Sequence, residues 1–339
     1  MINNKTSCFI IAEAGVNHNG SLILAKKLID IAKNAGADAI KFQTFTARDL
    51  VISSAEMADY QRKNIGKSKS QFEMLKKLEI SQKDFIQLKK YCDKKRIIFL
   101  STPHTENSVD FLDSLVPFYK VSSSDLTNIP LLHKIAKKKK MIILSTGMSD
   151  IKEIREAISA IKSEKNNNIT LLHCTTSYPC PENKVNLNAM LSLKKEFKLP
   201  IGYSDHTTGI IVPIMAATLG AEIIEKHFTL DKKLPGPDHK ASLEPKELEE
   251  MISMVRMVKD ILGNRVKKPT AEEQKIKKIA RKSIVARVNI PKGFLIREEM
   301  LAIKRPGNGI SPVYFNKIIG KKAKNDLKED TLIKFTDLK

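Results

Sequence analysis

Along roughly the first 260 residues, short apolar runs alternate with longer stretches whose apolar positions recur every third or fourth residue. The short runs predict strands at 8–14, 38–44, 97–102, 118–122, 141–146, 169–174, 201–205 and 222–227. Amphipathic segments at 22–35, 83–95, 151–162 and 207–219 predict helices between them, and Gly36 and Gly220 stand where a helix C-terminus favours glycine. Strands alternating with helices call for a parallel sheet with right-handed crossovers. Eight such units in this length point to an α/β fold closed as a (β/α)8 TIM barrel over 1–263.

The pattern changes after Gly263. Residues 264–280 are charged, contain Pro269 and read as a linker with some helix. From 281 to 339 short strands broken by turns predict a small β-rich domain, marginal alone. Between the second and third strands, the polar, Lys/Ser-rich segment 45–80 predicts a cover over the barrel mouth, a loop with one helix.

Composition narrows the possibilities. The 59 Lys and Arg against 38 Asp and Glu give a net charge of +21, but the lysines are spread over surface helices, as in the run 137–140. Without an Arg-rich or aromatic-interleaved patch, the charge suits an enzyme of anionic substrates better than a nucleic-acid partner. Cys8, Cys92, Cys174 and Cys180 form no CxxC pair, consistent with reduced thiols in a cytoplasmic protein. The longest apolar stretch, 209–224, holds Pro213 and Glu222 and is too short to span a bilayer.

The chemistry gathers where the predicted strands end, which in such a barrel is the active-site face. Glu13, Lys41 with Gln43, Thr102, Lys120 with Ser123, Ser145, His173, Ser204 with His206, and Glu225 with His227 all fall there. Residues two apart on a strand share a face, so each pair can enter the mouth together. Lys41, Lys120, Thr102, Ser123, Ser145 and Ser204 combine point charge with hydroxyls, as a multi-oxygen anion requires. His206 and His227, on neighbouring strand ends, could hold one Mn²⁺, Zn²⁺ or Fe²⁺, with a carbonyl or water completing the shell. Glu13 and Asp238 are carboxylates that could hold sugar hydroxyls or move protons. Asp238 could equally be a turn residue.

These residues lie in ordered motifs: IAEAGVNHNGS (11–21), KFQTF (41–45), LSTP (100–103), LSTGM (144–148), LLHCTTSYP (171–179), GYSDHT (202–207), IEKHFTLD (224–231), GPDHKASLEP (236–245), ARKSIVA (280–286) and KRPGNGISP (304–312). Along nearly its whole length the chain resembles the bacterial sialic acid synthases of the NeuB family. The resemblance implies a barrel followed by an antifreeze-like (SAF) domain, in a homodimer that swaps the small domain. It implies condensation of phosphoenolpyruvate with an open-chain N-acetylated amino sugar, typically N-acetylmannosamine, to give N-acetylneuraminic acid and phosphate with C–O cleavage.

By position in the motifs, His206 and His227 resemble ligands of Mn²⁺, for which Mg²⁺ or Co²⁺ could substitute, activating the aldehyde. Lys41, Thr102, Lys120, Ser123, Ser145 and Ser204 resemble the phosphoenolpyruvate pocket. Glu13, Gln43, Tyr178 and Asp238 resemble sugar or intermediate contacts, with Glu13 the favourite for the base that activates water. Arg305 resembles a residue that reaches across the dimer to the N-acyl group. Asp125 in place of a glutamate, His104 in place of a phenylalanine, and Ser177 in place of Glu or Asn depart from the family pattern near the sugar end. They raise the alternative of a legionaminic or pseudaminic acid synthase acting on a 2,4-diacetamido sugar. A non-catalytic carbohydrate- or nucleic-acid-binding protein fits less well with both histidines and both lysines intact.

Overall fold

The computed structural model describes residues 8–65 and 70–339; residues 66–69 of the segment 45–80 lie outside them. Eight strands, β1 (Phe9–Gly15), β2 (Ala39–Thr44), β3 (Ile98–Pro103), β4 (Tyr119–Val121), β5 (Ile142–Ser145), β6 (Ile169–Cys174), β7 (Ile201–Asp205) and β8 (Ile223–His227), form one parallel sheet. Its order is β3-β2-β1-β8-β7-β6-β5-β4, and β3 also packs alongside β4, which closes the ring. Every residue of β1, β5, β6, β7 and β8 is buried, as expected of strands covered by side chains within and helices without.

The helices end as their sequences suggest. After Leu22–Asn34, Gly36 takes a φ of +85°, and the amide of Ala37 bonds the carbonyl of Ala32. Gly220 repeats this after Ile211–Thr218 with a φ of +90°. Both are left-handed positions where a side chain would be strained.

Two expectations are corrected. The helix expected over 207–219 begins only at Ile211, because Thr207 is held by its neighbour: its amide and hydroxyl both donate to the Asp205 carboxylate, at 3.2 and 2.9 Å. That local bonding competes with the helical ladder. The segment 45–80 carries three short helices, Ala47–Leu50, Asp59–Ile65 and Gln71–Leu78, where one was expected. The third is capped by Ser70, whose hydroxyl accepts from the amide of Glu73. Its buried Met74 and Leu78 pack with Val16, Phe45 and Met57. Its only buried residues are these two, four apart, with Leu75 packed beside them, a pattern easily hidden among charges.

The chain divides into two compact units, Met1–Gly263 and Asn264–Lys339. In the second, β9 (Ser283–Ala286) pairs antiparallel with β10 (Leu301–Lys304) over a separate core that includes Ile284, Ile290, Ile296, Ile318 and Ile333. The charged stretch before it carries the helix Ala271–Ala280, opened by a reciprocal Thr270–Glu273 cap. All four cysteines are free thiols. Among the described residues no helix is long and apolar enough to cross a membrane.

Candidate active site

The strand ends of the barrel surround a cavity of about 210 Å³. Parallel register sets the heights of its side chains: Glu13 lies level with Lys41 on one side and His227 on the other, and Ser204 with Glu225.

At the base sit four buried charges. Lys41 Nζ is 2.9 Å from Glu13 and 3.6 Å from Glu225, and Lys120 Nζ is 3.2 Å from Glu225. Lys41 also donates to the Thr102 hydroxyl (3.0 Å), the Ser204 hydroxyl to Glu225 (2.9 Å), and the Gln43 amide to Glu13 (3.3 Å). The two carboxylates behave differently. Burial pushes Glu13 up to about 7, only partly opposed by Lys41 and reinforced by the charge of Glu225. Burial also works against Glu225, yet Lys120 and Lys41, with the Ser204 hydrogen bond, hold it down at about 2. Burial lowers Lys120, whereas for Lys41 the attraction of Glu13 and Glu225 outweighs burial and raises it. Near neutrality Glu13 is thus partly protonated, which leaves Glu225 as the firmly ionised carboxylate between the two lysines, an arrangement suited to an anion. Glu225, noticed at the sequence level only as one strand-end residue among many, is the hub of this cluster.

Hydroxyls complete the cradle. Ser145 Oγ is buried without a hydrogen-bond partner among the described residues and faces the cavity, as a group awaiting a ligand would. Ser123 lines the same wall, its Oγ accepting the Gly147 amide at 3.1 Å. Gly147 leaves room for the wall hydroxyls: a Cβ there would come within 2.4 Å of Thr176 Oγ1 and 2.8 Å of Ser123 Oγ and force both to move.

His206 and His227 face one another from β7 and β8, ring centroids 5.5 Å apart. His206 Nδ1 donates to the Thr175 carbonyl (2.8 Å), so in the neutral ring Nε2 carries the lone pair. That second hydrogen bond is the usual way a ligating imidazole is oriented. Burial favours the neutral ring, but the adjacent Cys174 and the Thr175 carbonyl outweigh it and raise the pKa of His206 above its ordinary value. His227 Nδ1 is buried with no partner among the described residues, and burial holds the ring neutral. The pair therefore fits one divalent cation. The described residues contain no group of three or more His, Cys, Asp or Glu placed to hold a metal, so water or substrate oxygens would fill the other positions. Behind the pair, Lys226 and Asp205 form a fully buried ion pair that ties β8 to β7; Lys226 also donates to the Thr207 carbonyl, and Tyr203 to Asp205 (2.9 Å).

Aromatic rings form the upper wall. Tyr178 packs on His206 with centroids 4.0 Å apart, and Tyr60 from the 45–80 segment stacks on Tyr178 at 5.1 Å. Asp238 is buried beside them, its carboxyl pushed up to about 6 by burial, and Asn64 donates to the neighbouring Pro237 carbonyl (2.7 Å). Hence Glu13, Lys41, Gln43, Thr102, Lys120, Ser123, Ser145, Tyr178, Ser204, His206, His227 and Asp238 all line one cavity.

Four residues fall elsewhere, the first being His173, whose Nε2 donates to the Val185 carbonyl at 2.8 Å away from the cavity lining. Asp125 does not line the cavity; its carboxylate is taken up by His104, Ser122 and Asn128, and His104 stands on the wall in its place. Ser177 turns its hydroxyl to the Pro179 carbonyl (3.3 Å), and Thr176 lines the cavity instead. Arg305 belongs to the C-terminal unit and is exposed on it.

A (β/α)8 barrel whose strand ends join an anion cradle to a paired-histidine site is the framework of an enzyme that brings an anionic carbon nucleophile to an electrophile. Residues 28–267 match the NeuB family and residues 281–339 the SAF domain, and the chain belongs to the NeuB family of phosphoenolpyruvate-condensing sugar acid synthases. It is 51% identical over 328 residues to an N,N'-diacetyllegionaminic acid synthase of Campylobacter jejuni, covering 96% of this chain and 98% of that one. A second protein of that name, from Legionella pneumophila, is 47% identical over 97% of this chain and 94% of its own. Among solved structures, an N-acetylneuraminic acid synthetase from Leptospira borgpetersenii superposes with a TM-score of 0.70 at 39% identity, over 80% of this chain and 90% of that one.

Proposed function

We propose that the chain condenses phosphoenolpyruvate with a 2,4-diacetamido-trideoxy hexose, giving a legionaminic-type nine-carbon acid and phosphate. The observation that carries the chemistry is the buried Lys41–Lys120 cradle, with its unpartnered Ser145 hydroxyl, opening on the same cavity as His206 and His227. The diacetamido acceptor is favoured over N-acetylmannosamine by the two relatives named above.

Lys41, Lys120 and the surrounding hydroxyls hold the phosphate and carboxylate of phosphoenolpyruvate and offset their charge throughout. His206 and His227 hold the cation, for which Mn²⁺ is our first choice, and such a Lewis acid makes a bound aldehyde a better electrophile. The methylene carbon of phosphoenolpyruvate bonds to the aldehyde carbon, and the aldehyde oxygen gains a proton to become a hydroxyl. Water then adds at C2 and loses a proton. The C2 hydroxyl then gives up its proton as the bond from C2 to the phosphate ester oxygen breaks, expelling phosphate, which carries that proton away, and leaving the keto acid. Glu13, close to half-protonated at neutral pH and bonded to Lys41 and Gln43, is suited to pass these protons. Proximity of the two substrates supplies part of the rate. Arg305 completes the acceptor site from the partner chain of a swapped dimer in this reading.

The test is phosphate release from phosphoenolpyruvate and Mn²⁺ with each sugar in turn. Release with the diacetamido sugar at a kcat/KM well above that with N-acetylmannosamine is expected. The reverse order would return the assignment to N-acetylneuraminate synthesis.

A further inference from the structure

The cavity has two chemically assigned ends, the anion cradle at β2, β4 and β5 and the histidine pair on β7 and β8. His104 belongs to neither. It follows β3, three strands round the ring from β8 and four from β7, and so stands across the mouth from the histidines while still lining the cavity. Its Nδ1 lies 3.1 Å from Asp125 Oδ2, a carboxylate that also accepts from Ser122 (2.8 Å) and Asn128 (3.4 Å).

Burial works against the charge of Asp125, but the hydrogen bonds from His104, Ser122 and Asn128 prevail and keep its carboxyl below the ordinary range. An ionised carboxylate only accepts, so Nδ1 carries a proton, and in the neutral ring Nε2 then presents the lone pair. Among the described residues Nε2 has no donor. The ring abuts Phe45 edge-on, centroids 6.3 Å apart, and Phe45 packs in one apolar cluster with Val16, Met74 and Leu78, which themselves line the cavity. A hydrogen-bond acceptor beside an apolar shelf complements an acetamido group, which offers an N–H and a methyl a few ångströms apart.

We propose that His104 reads an acetamido substituent of the acceptor remote from its aldehyde, Nε2 taking the amide N–H and the Met74–Leu78 shelf taking the methyl, with Asp125 as the positioning residue that sets the ring. This rests on the reading of the chain as a sugar acid synthase and adds a specificity determinant to it. Of the two acetamido groups of a 2,4-diacetamido sugar whose aldehyde sits at the histidine pair, the one on C4 is the farther from that pair, and it is the one that N-acetylmannosamine lacks.

The test is initial-rate phosphate release by the full-length chain at saturating Mn²⁺, for wild type, His104→Phe, His104→Gln, Asp125→Asn and Asp125→Ala. Each is titrated with the diacetamido sugar, with N-acetylmannosamine and with phosphoenolpyruvate. For His104→Phe the KM for the diacetamido sugar should rise roughly 10- to 100-fold, as for an amide left without its acceptor. The KM for phosphoenolpyruvate should stay within about twofold, as should that for N-acetylmannosamine where wild type turns it over. Asp125→Ala should reproduce the effect, and Asp125→Asn, whose amide oxygen still accepts from Nδ1, should restore most of the wild-type KM. Should His104→Phe fail to fold, His104→Gln and Asp125→Ala carry the same readout. Equal loss with all three substrates, or an unchanged KM for the diacetamido sugar, overturns the assignment of His104 while leaving the synthase reading intact. A wild type that releases no phosphate with either sugar overturns both.

Discussion

Replacing Glu225 by glutamine should weaken the empty barrel and sharpen its response to phosphoenolpyruvate. The amide keeps the size of the side chain and can still accept from Ser204, but it leaves Lys120 without its carboxylate at 3.2 Å and Lys41 with one partner in place of two. Breaking a buried ion pair from one side costs about 3–5 kcal/mol. Glu13 should then ionise more readily, freed from the like charge of Glu225, which places the cost near the lower figure. For a domain of this size about 3 kcal/mol corresponds to a melting temperature roughly 6–12 °C lower. Phosphoenolpyruvate at about 100 times its dissociation constant returns close to 2.7 kcal/mol. Glu225→Gln should therefore melt well below wild type when empty and recover most of that loss with the ligand. At one fixed ligand concentration its shift should also be the larger of the two, because a cradle without its own carboxylate binds the anion more tightly. The assay is a thermal melt monitored by near-ultraviolet dichroism, with and without phosphoenolpyruvate. A variant that melts with wild type, or that the ligand fails to restore, would refute the view that Glu225 is what balances Lys41 and Lys120 in the empty cavity.

Other outcomes follow from the same geometry. The folded-state pKa of Glu13 is raised from 4.5 to about 7, so its contribution to stability is full below about 4.5 and is lost as pH rises towards 7; Glu13→Gln should flatten that part of a melting-temperature profile, and an unchanged profile would count against a partly protonated Glu13. His227→Ala should abolish the Mn²⁺ binding seen by electron paramagnetic resonance while the metal-free protein keeps its fold, and retention of wild-type affinity would exclude the histidine pair as the cation site. Arg305→Ala and Lys120→Ala chains, each inactive alone, should regain up to about a quarter of wild-type activity when unfolded and refolded together, because half the dimers then hold one complete site. No regain would argue that Arg305 serves its own barrel or none.

The barrel was legible because each strand is a buried run closed by polar residues, and because the crossover rule leaves few ways to arrange eight of them. The strand ends also announced most of the cavity wall, since a side chain's facing follows from its parity along the strand. What stayed hidden were relations across the ring. Glu225 looks like any carboxylate until β2 and β4 bring Lys41 and Lys120 to it from about a hundred residues and more away. Asp125 looked like a sugar contact because the resemblance puts it where relatives carry a glutamate thought to touch the sugar, yet a short 3₁₀ turn, Ser123–Asp125, leaves its carboxylate with Ser122, His104 and Asn128. The helices of 45–80 escaped notice for a related reason. Their few apolar residues bury against one another and Val16, partners far apart in the chain.

The Lys226–Asp205 pair behind the two histidines has a consequence for warming. Removing charges from water becomes less costly as temperature rises, whereas the gain from burying apolar surface levels off. A strut made of fully buried opposite charges, with Tyr203 and Thr207 satisfying what remains of Asp205, therefore keeps its grip over a range in which the Met74–Leu78 packing of the cover gains nothing further to set against the rising conformational-entropy cost of holding it in place. On heating, this protein should lose the roof over its cavity while the spacing of His206 and His227 is still intact.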